Sequence, residues 1–322
     1  MTLQNYPFIR EVRSPLTEDQ LSPLDDRCEV VQFRTPLSHE DFSRLAEFLS
    51  AYPEVPLRVY GHDTVKDLEF LGYFPFLREF ETGVWTLGSF EGLRHLSSDL
   101  KYLGLGATKS KAHSLRVIER FTELRDLSIE GHTKDISAVK FCSKLESLTL
   151  RSVTLPDLSV LTGLNHLKHL RLKLGGTKNL SLLPAIKNLV YLELWAILGL
   201  SDLNMIGELS KLQFIFLQSL KRVTTLPTLE GLSVLRRVHL EALKGFQDLS
   251  PVSLAPNLAE LIVTDMPQLQ VDAFLPFIGH KGLRVARIWL RNRKKQEAIA
   301  KMLNLPKTEV IPDKWNFQFA ED

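Results

Sequence analysis

Sixty of the 322 residues are leucine, about 19% and roughly twice the usual share of a soluble protein. Total hydrophobic content is only 44%, charged content is 24%, and the mean hydropathy is −0.03, so the leucines are dispersed among polar residues. That excludes a chain of membrane-spanning helices, which need runs of about 18 apolar residues, and a disordered chain, which lacks large aliphatics. Two cysteines, Cys28 and Cys142, exclude a disulfide framework. A net charge of +2 is too balanced to signal nucleic acid or anionic lipid.

The first residues, Met1 to Pro7, show no basic segment followed by an apolar one, so no secretory signal is read there. A reduced, cytoplasmic setting is expected, with both cysteines filling core. Ser38-His39-Glu40-Asp41 has the form of a helix start, and Phe42, Leu45, Ala46 and Leu49 then share one helical face. Leu57-Arg58-Val59-Tyr60 reads as a first, degenerate strand.

From Leu77 onward the pattern Leu-x-x-Leu-x-Leu, allowing other apolar residues, recurs ten times. It begins at Leu77, Leu100, Leu124, Leu145, Leu167, Leu189, Leu212, Leu235, Leu258 and Leu283. A Leu-x-Leu pair places two side chains on one face of a strand and the intervening residue on the other. The remaining apolar residues, as in Leu155-x-x-Leu158-x-x-Leu161-x-x-Leu164, can turn the chain back behind the strand. Each unit has half a core, and stacking completes it. Repeats of 21 to 25 residues leave room only for short helices or 3₁₀ turns.

The segment Leu155-Pro156-Asp157-Leu158-Ser159-Val160-Leu161-Thr162-Gly163-Leu164-Asn165-His166-Leu167 resembles the leucine-rich-repeat family. It is most similar to the short-repeat, internalin-like and phosphatase-regulator-like subclass. The resemblance implies an α/β solenoid: a curved parallel sheet on a concave side that binds another macromolecule, and short helices or 3₁₀ turns on the convex side. Three regions are expected: an N-terminal cap with one helix (1–56), a solenoid of about ten repeats (57–290), and a helix-and-tail cap (291–322). One departure stands out. The family's usual ladder asparagine is replaced by Val153, Gly175, Ile197, Leu220, Leu243 and Met266, so the turn amides must be satisfied otherwise. At the C-terminus, Lys294 to Leu303 reads as a helix, and the alternation Trp315, Phe317, Phe319 reads as a closing edge strand or a binding segment.

Motifs for chemistry are scarce. Gly104-Leu105-Gly106-Ala107-Thr108-Lys109-Ser110 lacks the spacing of a phosphate-binding loop. The echo Gly106-x-Thr108-Lys109, Gly131-x-Thr133-Lys134, Gly175-x-Thr177-Lys178 reads as repeated turn chemistry. His166 and His169 lack zinc-site spacing. No catalytic residue, metal or cofactor is assigned, and a non-enzymatic protein is expected.

In Leu-x-x-Leu-x-Leu-x the third, fifth and seventh residues project opposite the leucines, onto an exposed face. There Arg151, His169, Arg171 and Lys173 form a basic zone, and Tyr191, Trp195, Phe214 and Phe216 an aromatic one. Glu193, Arg237 and His239 complete the candidate partner-binding set. A contiguous apolar patch marks interaction, and Tyr, Trp and Arg are enriched in binding hot spots. The competing reading is structural: Arg171 faces Glu193, Arg151 neighbours Glu130, and the aromatics pack on one another or under a loop. The function expected is a protein-binding scaffold, as an inhibitor, an adaptor or a bacterial toxin-immunity protein, monomeric when free and away from membranes. Its partner would present an acidic and apolar surface. The alternatives are binding of RNA or single-stranded nucleic acid through the basic-aromatic zone, and an enzyme-associated regulatory subunit.

Overall fold

The computed structural model describes residues 8–305 and 317–320. The chain forms two compact units that divide between Val153 and Thr154 in sequence.

The first unit is a parallel sheet of β1 (Ile9–Glu11), β2 (Val30–Phe33), β3 (Leu57–Gly61), β4 (Glu79–Val84), β5 (Tyr102–Leu105), β6 (Asp126–Glu130) and β7 (Ser147–Arg151), each paired with the next. The sheet therefore starts two strands before Leu57, and the N-terminal segment adds strands as well as a helix. That helix, α1 (His39–Leu49), is capped by Ser38, whose Oγ accepts from the Asp41 amide at 3.1 Å and donates to Asp41 Oδ2 at 2.9 Å. Its face of Phe42, Leu45, Ala46 and Leu49 is buried, as the periodicity predicts. The convex returns are 3₁₀ turns at Glu69–Tyr73, Glu91–His95, Arg116–Arg120 and Ile136–Phe141. Glycine is required at Gly92, where a Cβ would lie 2.5 Å from the Leu68 carbonyl carbon.

The second unit repeats the plan with β8 (His169–Lys173), β9 (Tyr191–Trp195), β10 (Phe214–Gln218), β11 (Arg237–Glu241), β12 (Glu260–Thr264) and β13 (Val285–Trp289), again parallel and paired in order. Behind it lie 3₁₀ turns at Leu183–Ala185, Asn204–Glu208 and Val271–Phe277 and the short helix α2 (Ser250–Ser253). Helix α3 (Arg293–Leu303) is capped by Asn292, whose Oδ1 accepts from the Lys295 amide at 3.1 Å, and it buries Ile299 and Leu303. The fourth- and sixth-position leucines, such as Leu170, Leu192, Leu194 and Leu240, are fully buried or nearly so. Burial of apolar surface at about 25 cal/mol per Å² makes these stacked rows stabilising.

Seven of the returns begin with a short polar residue that caps them. Asp67, Asp157, Asp202 and Asp248 accept through Oδ1 from the amide two residues on, and Asn179 does the same for Ser181. Ser89 and Ser114 do so through Oγ. The pattern Asp/Asn/Ser followed by Leu or Phe is the sequence mark of these turns.

The missing asparagine ladder has a main-chain replacement. Directly after their strands, Leu174, Ala196, Ser219, Ala242 and Asp265 adopt left-handed backbone, with φ between 51° and 56°. Each donates its amide to the last strand residue of the next repeat: Trp195, Gln218, Glu241, Thr264 and Trp289, at 2.8–3.0 Å. The left-handed residue costs about 1 kcal/mol, and the hydrogen bond returns a similar amount. With the amides satisfied, the following positions can be apolar, and Ile197, Leu220, Leu243 and Met266 are buried there.

Candidate partner-binding surface

The second unit places its third-, fifth- and seventh-position residues in straight columns. Phe214 pairs with Tyr191 and Arg237, Phe216 with Glu193 and His239, and Gln218 with Trp195 and Glu241. The columns and their register are those the repeat predicts, because a period of two admits only one set of residues on the face away from the leucines.

Exposure is not as expected. Tyr191, Glu193, Phe214, Phe216, Arg237 and His239 are buried, with Phe214 at 0% exposure and Arg237 at 2%. Two causes act together. The side chains pack across the rungs: the Tyr191 and Phe214 rings meet edge-on at 5.0 Å, and Phe216 stacks on His239 at 4.3 Å. Over this cluster lies Phe317. The C-terminal residues 317–320 form no strand and do not close the sheet edge; they rest on its open face. Trp315, the third member of the expected strand, lies outside the described residues.

The tail is held by polar and aromatic groups alike. Phe317 sits 5.2 Å from the Phe214 ring, with the guanidinium carbons of Arg236 and Arg237 each 4.9 Å from its own. Phe319 lies 4.9 Å from the His169 ring and 6.1 Å from Tyr191. Gln213 accepts from the Ala320 amide at 2.8 Å and donates to its carbonyl at 3.1 Å. Arg236 donates to the Gln318 carbonyl at 2.5 Å and to Gln213 Oε1 at 3.0 Å. Gln213 and Arg236 are second-position residues, which the alternation argument does not select. Their signal would have been polar side chains of second-position residues beside an aromatic column.

Beside the covered cluster, Glu193 gathers charge. Its Oε2 accepts from Tyr191 Oη at 3.1 Å and faces Lys173 Nζ at 3.1 Å and Arg171 Nε at 3.8 Å. Arg171 also lies over the Tyr191 ring at 5.0 Å, and Lys173 is 6.0 Å from the Trp195 ring. Burial, then the Glu193 carboxylate, pushes the Tyr191 phenol well above its ordinary range, which keeps it a neutral hydrogen-bond donor. Arg237 pairs with Glu260 and lies over Phe214 at 5.2 Å. His239 Nε2 is 3.5 Å from Glu241 Oε2. Arg151 belongs to the first unit, where its Nε meets Glu130 Oε1 at 2.9 Å. Of the second unit's candidates, His169, Arg171, Lys173 and Trp195 keep partial exposure.

Among the described residues no group of three or more His, Cys, Asp or Glu side chains could hold a metal, and no helix is long and apolar enough to cross a membrane.

No family model and no curated protein matches the chain. Solved structures do. A leucine-rich-repeat protein of Leptospira interrogans is similar over 90% of this chain and 79% of its own, with a TM-score of 0.57 and 17% identity. The TLR13 chain of a complex with single-stranded RNA matches over 82% of this chain, with a TM-score of 0.57 and 16% identity. The Drosophila Toll–Spatzle complex matches over 88%, with a TM-score of 0.55 and 14% identity. This chain spans only 40% and 44% of the last two. Together with the stacked parallel strands, these likenesses define the fold as that of the leucine-rich-repeat proteins.

Proposed function

We propose that this chain is a non-enzymatic protein-binding scaffold whose partner docks on the open face of β8 to β11. One observation carries the reading: the face already holds a peptide segment, residues 317–320, through side chains that grip both its rings and its main chain. Lys173, Arg171 and His169 border the same face, which suits a partner with an acidic and apolar surface. Within this class the role is that of an inhibitor or adaptor acting in the cytoplasm, with neutralisation of a bacterial toxin as one concrete form and service as the regulatory subunit of an enzyme as another. Nucleic-acid binding through base stacking is less well supported, because Phe214 and Phe216 are buried and present no open ring.

The test is affinity capture from the source cell with wild type and a Trp195→Ala/Lys173→Ala variant. Both side chains border the covered cluster, and Arg171 still faces Glu193 when Lys173 is removed. A urea midpoint within reach of wild type shows that the variant is folded before capture is read. The proposal expects a defined protein retained by wild type and lost, tenfold or more, by the variant. Equal capture by both overturns it. Affinity for single-stranded RNA that falls steeply with salt would favour the nucleic-acid reading instead.

A further inference from the structure

We infer that the β8–β11 face is a site for an extended peptide with aromatic side chains two residues apart, and that Phe317–Ala320 occupies it as an internal ligand which a partner segment of the same pattern displaces. The inference deepens the protein-binding reading and rests on it.

Two kinds of recognition meet at this site. The first reads the main chain. Gln213 offers one acceptor and one donor to the amide and carbonyl of Ala320, at 2.8 and 3.1 Å, and Arg236 takes the Gln318 carbonyl. None of these bonds depends on which side chains the segment carries. The second reads alternate side chains. In extended backbone, residues i and i+2 point the same way, and Phe317 and Phe319 both reach the face. One slot is built of Phe214 with the Arg236 and Arg237 guanidiniums, the other of His169 and Tyr191. Main-chain bonds for affinity with alternate pockets for specificity is the general logic of extended-peptide recognition.

The segment is also seated so that it can leave. Phe319 is 36% exposed, and Gln318 and Ala320 are exposed. Among the described residues it joins no strand ladder, and its polar contacts come from the Gln213 and Arg236 side chains. A competitor must overcome the effective concentration of a segment carried on the same chain. In sequence the segment is followed by Glu321-Asp322, so a free peptide of this sequence is aromatic and acidic. That is the chemistry expected of the partner.

The probe is a fluorescein-labelled peptide, Asn-Phe-Gln-Phe-Ala-Glu-Asp, the sequence of 316–322. It is titrated into full-length wild type and a full-length Phe317→Ser/Phe319→Ser variant, and anisotropy is read. The variant is expected to bind at least tenfold more tightly than wild type. Serine in place of both phenylalanines of the peptide should abolish binding, and adding Gln213→Ala to the variant should weaken it about tenfold. Equal affinity of wild type and variant, or equal binding of both peptides, overturns the inference. In the unmodified chain, millimolar unlabelled peptide should speed hydrogen exchange at the Ala320 amide, and an unchanged rate contradicts displacement. A concentration-dependent dimer of wild type that the variant abolishes would place the tail in a second copy and overturn its internal role. Absence of peptide binding with capture still lost in Trp195→Ala/Lys173→Ala removes this inference alone. Peptide binding with capture intact in that variant removes the broader docking reading and leaves the peptide site.

Discussion

The side-chain amide of Gln213 holds the backbone of Ala320 from both sides, accepting its N–H at 2.8 Å and donating to its carbonyl at 3.1 Å across 107 positions of sequence. This pairing, with the Arg236 bond to Gln318, converts a sheet face that the repeat predicts as open into one that is partly filled. Arg236 and Gln213 are bonded to each other at 3.0 Å, so one side chain presents the other to the tail.

The aromatic residues of the face then divide by role. Phe214 is fully buried, and Phe214→Ala is expected to cost about 3 kcal/mol or more through lost burial and the cavity left behind. Trp195 stands at the border of the cluster, and Trp195→Ala should cost under about 1 kcal/mol. Urea denaturation of the two variants checks this. A test of partner capture therefore uses Trp195, because Phe214→Ala would confound binding with folding.

Arg237 is buried over Phe214 and Phe317 and pairs with Glu260. Removing one partner of a buried ion pair leaves the other charge poorly solvated, so Arg237→Ala should cost about 3 kcal/mol. The double change Arg237→Met/Glu260→Gln removes both charges and should restore most of that loss. Denaturant midpoints for both variants decide it, and a double variant as unstable as the single one would refute the charge argument.

Sequence reasoning read the repeat, its register and the face because these rest on local spacing. Leucine at the fourth and sixth positions determines which side of each strand is apolar, whatever surrounds it. It favoured exposure of Tyr191, Phe214 and Phe216 over the competing reading that they pack on one another or under a loop, because their burial depends on cross-rung packing and on a segment about 100 residues away, which no periodicity reports. It selected Phe317 and Phe319 as an alternating pair and left them as a closing edge strand or a binding segment, since alternation fixes which way side chains point and not which surface they meet. Strands β1 and β2 escaped because Ile9–Glu11 and Val30–Phe33 are too short to show a pattern. The main-chain ladder through Leu174, Ala196, Ser219, Ala242 and Asp265 was invisible because residues with side chains occupy positions where glycine would have signalled the left-handed turn.

In the first unit His132 is fully buried, edge-on to Phe90 at 4.9 Å and beside His113 at 5.9 Å, with Nε2 3.2 Å from the Gly106 carbonyl. Burial lowers its pKa below the ordinary 6.5, against a smaller opposing pull from that carbonyl. The folded state therefore takes up this proton less readily than the unfolded chain. The linked stability is fully present above about pH 6.5 and is lost as pH falls through that value toward the lower folded pKa. The urea midpoint should drop between pH 7.5 and 5.5, and His132→Phe should flatten that slope. An unchanged slope in the variant would assign it to other groups.

The two cysteines should separate by reactivity. Burial raises the Cys142 thiol to about 12, so thiolate is scarce there and reagent has no access. Cys28 is half-buried. Iodoacetamide at pH 8 should modify Cys28 first in the native protein and reach Cys142 only in denaturant, as intact-mass spectrometry would show.

The seating of the C-terminal segment on the aromatic face is tested most directly by nuclear Overhauser contacts between aromatic rings in the full-length protein. With ring centres 5.2 Å apart for Phe214 and Phe317, and 4.9 Å for His169 and Phe319, cross-peaks are predicted for both pairs. Spectra that lack both, with the Ala320 amide exchanging as fast as a free peptide, would contradict it.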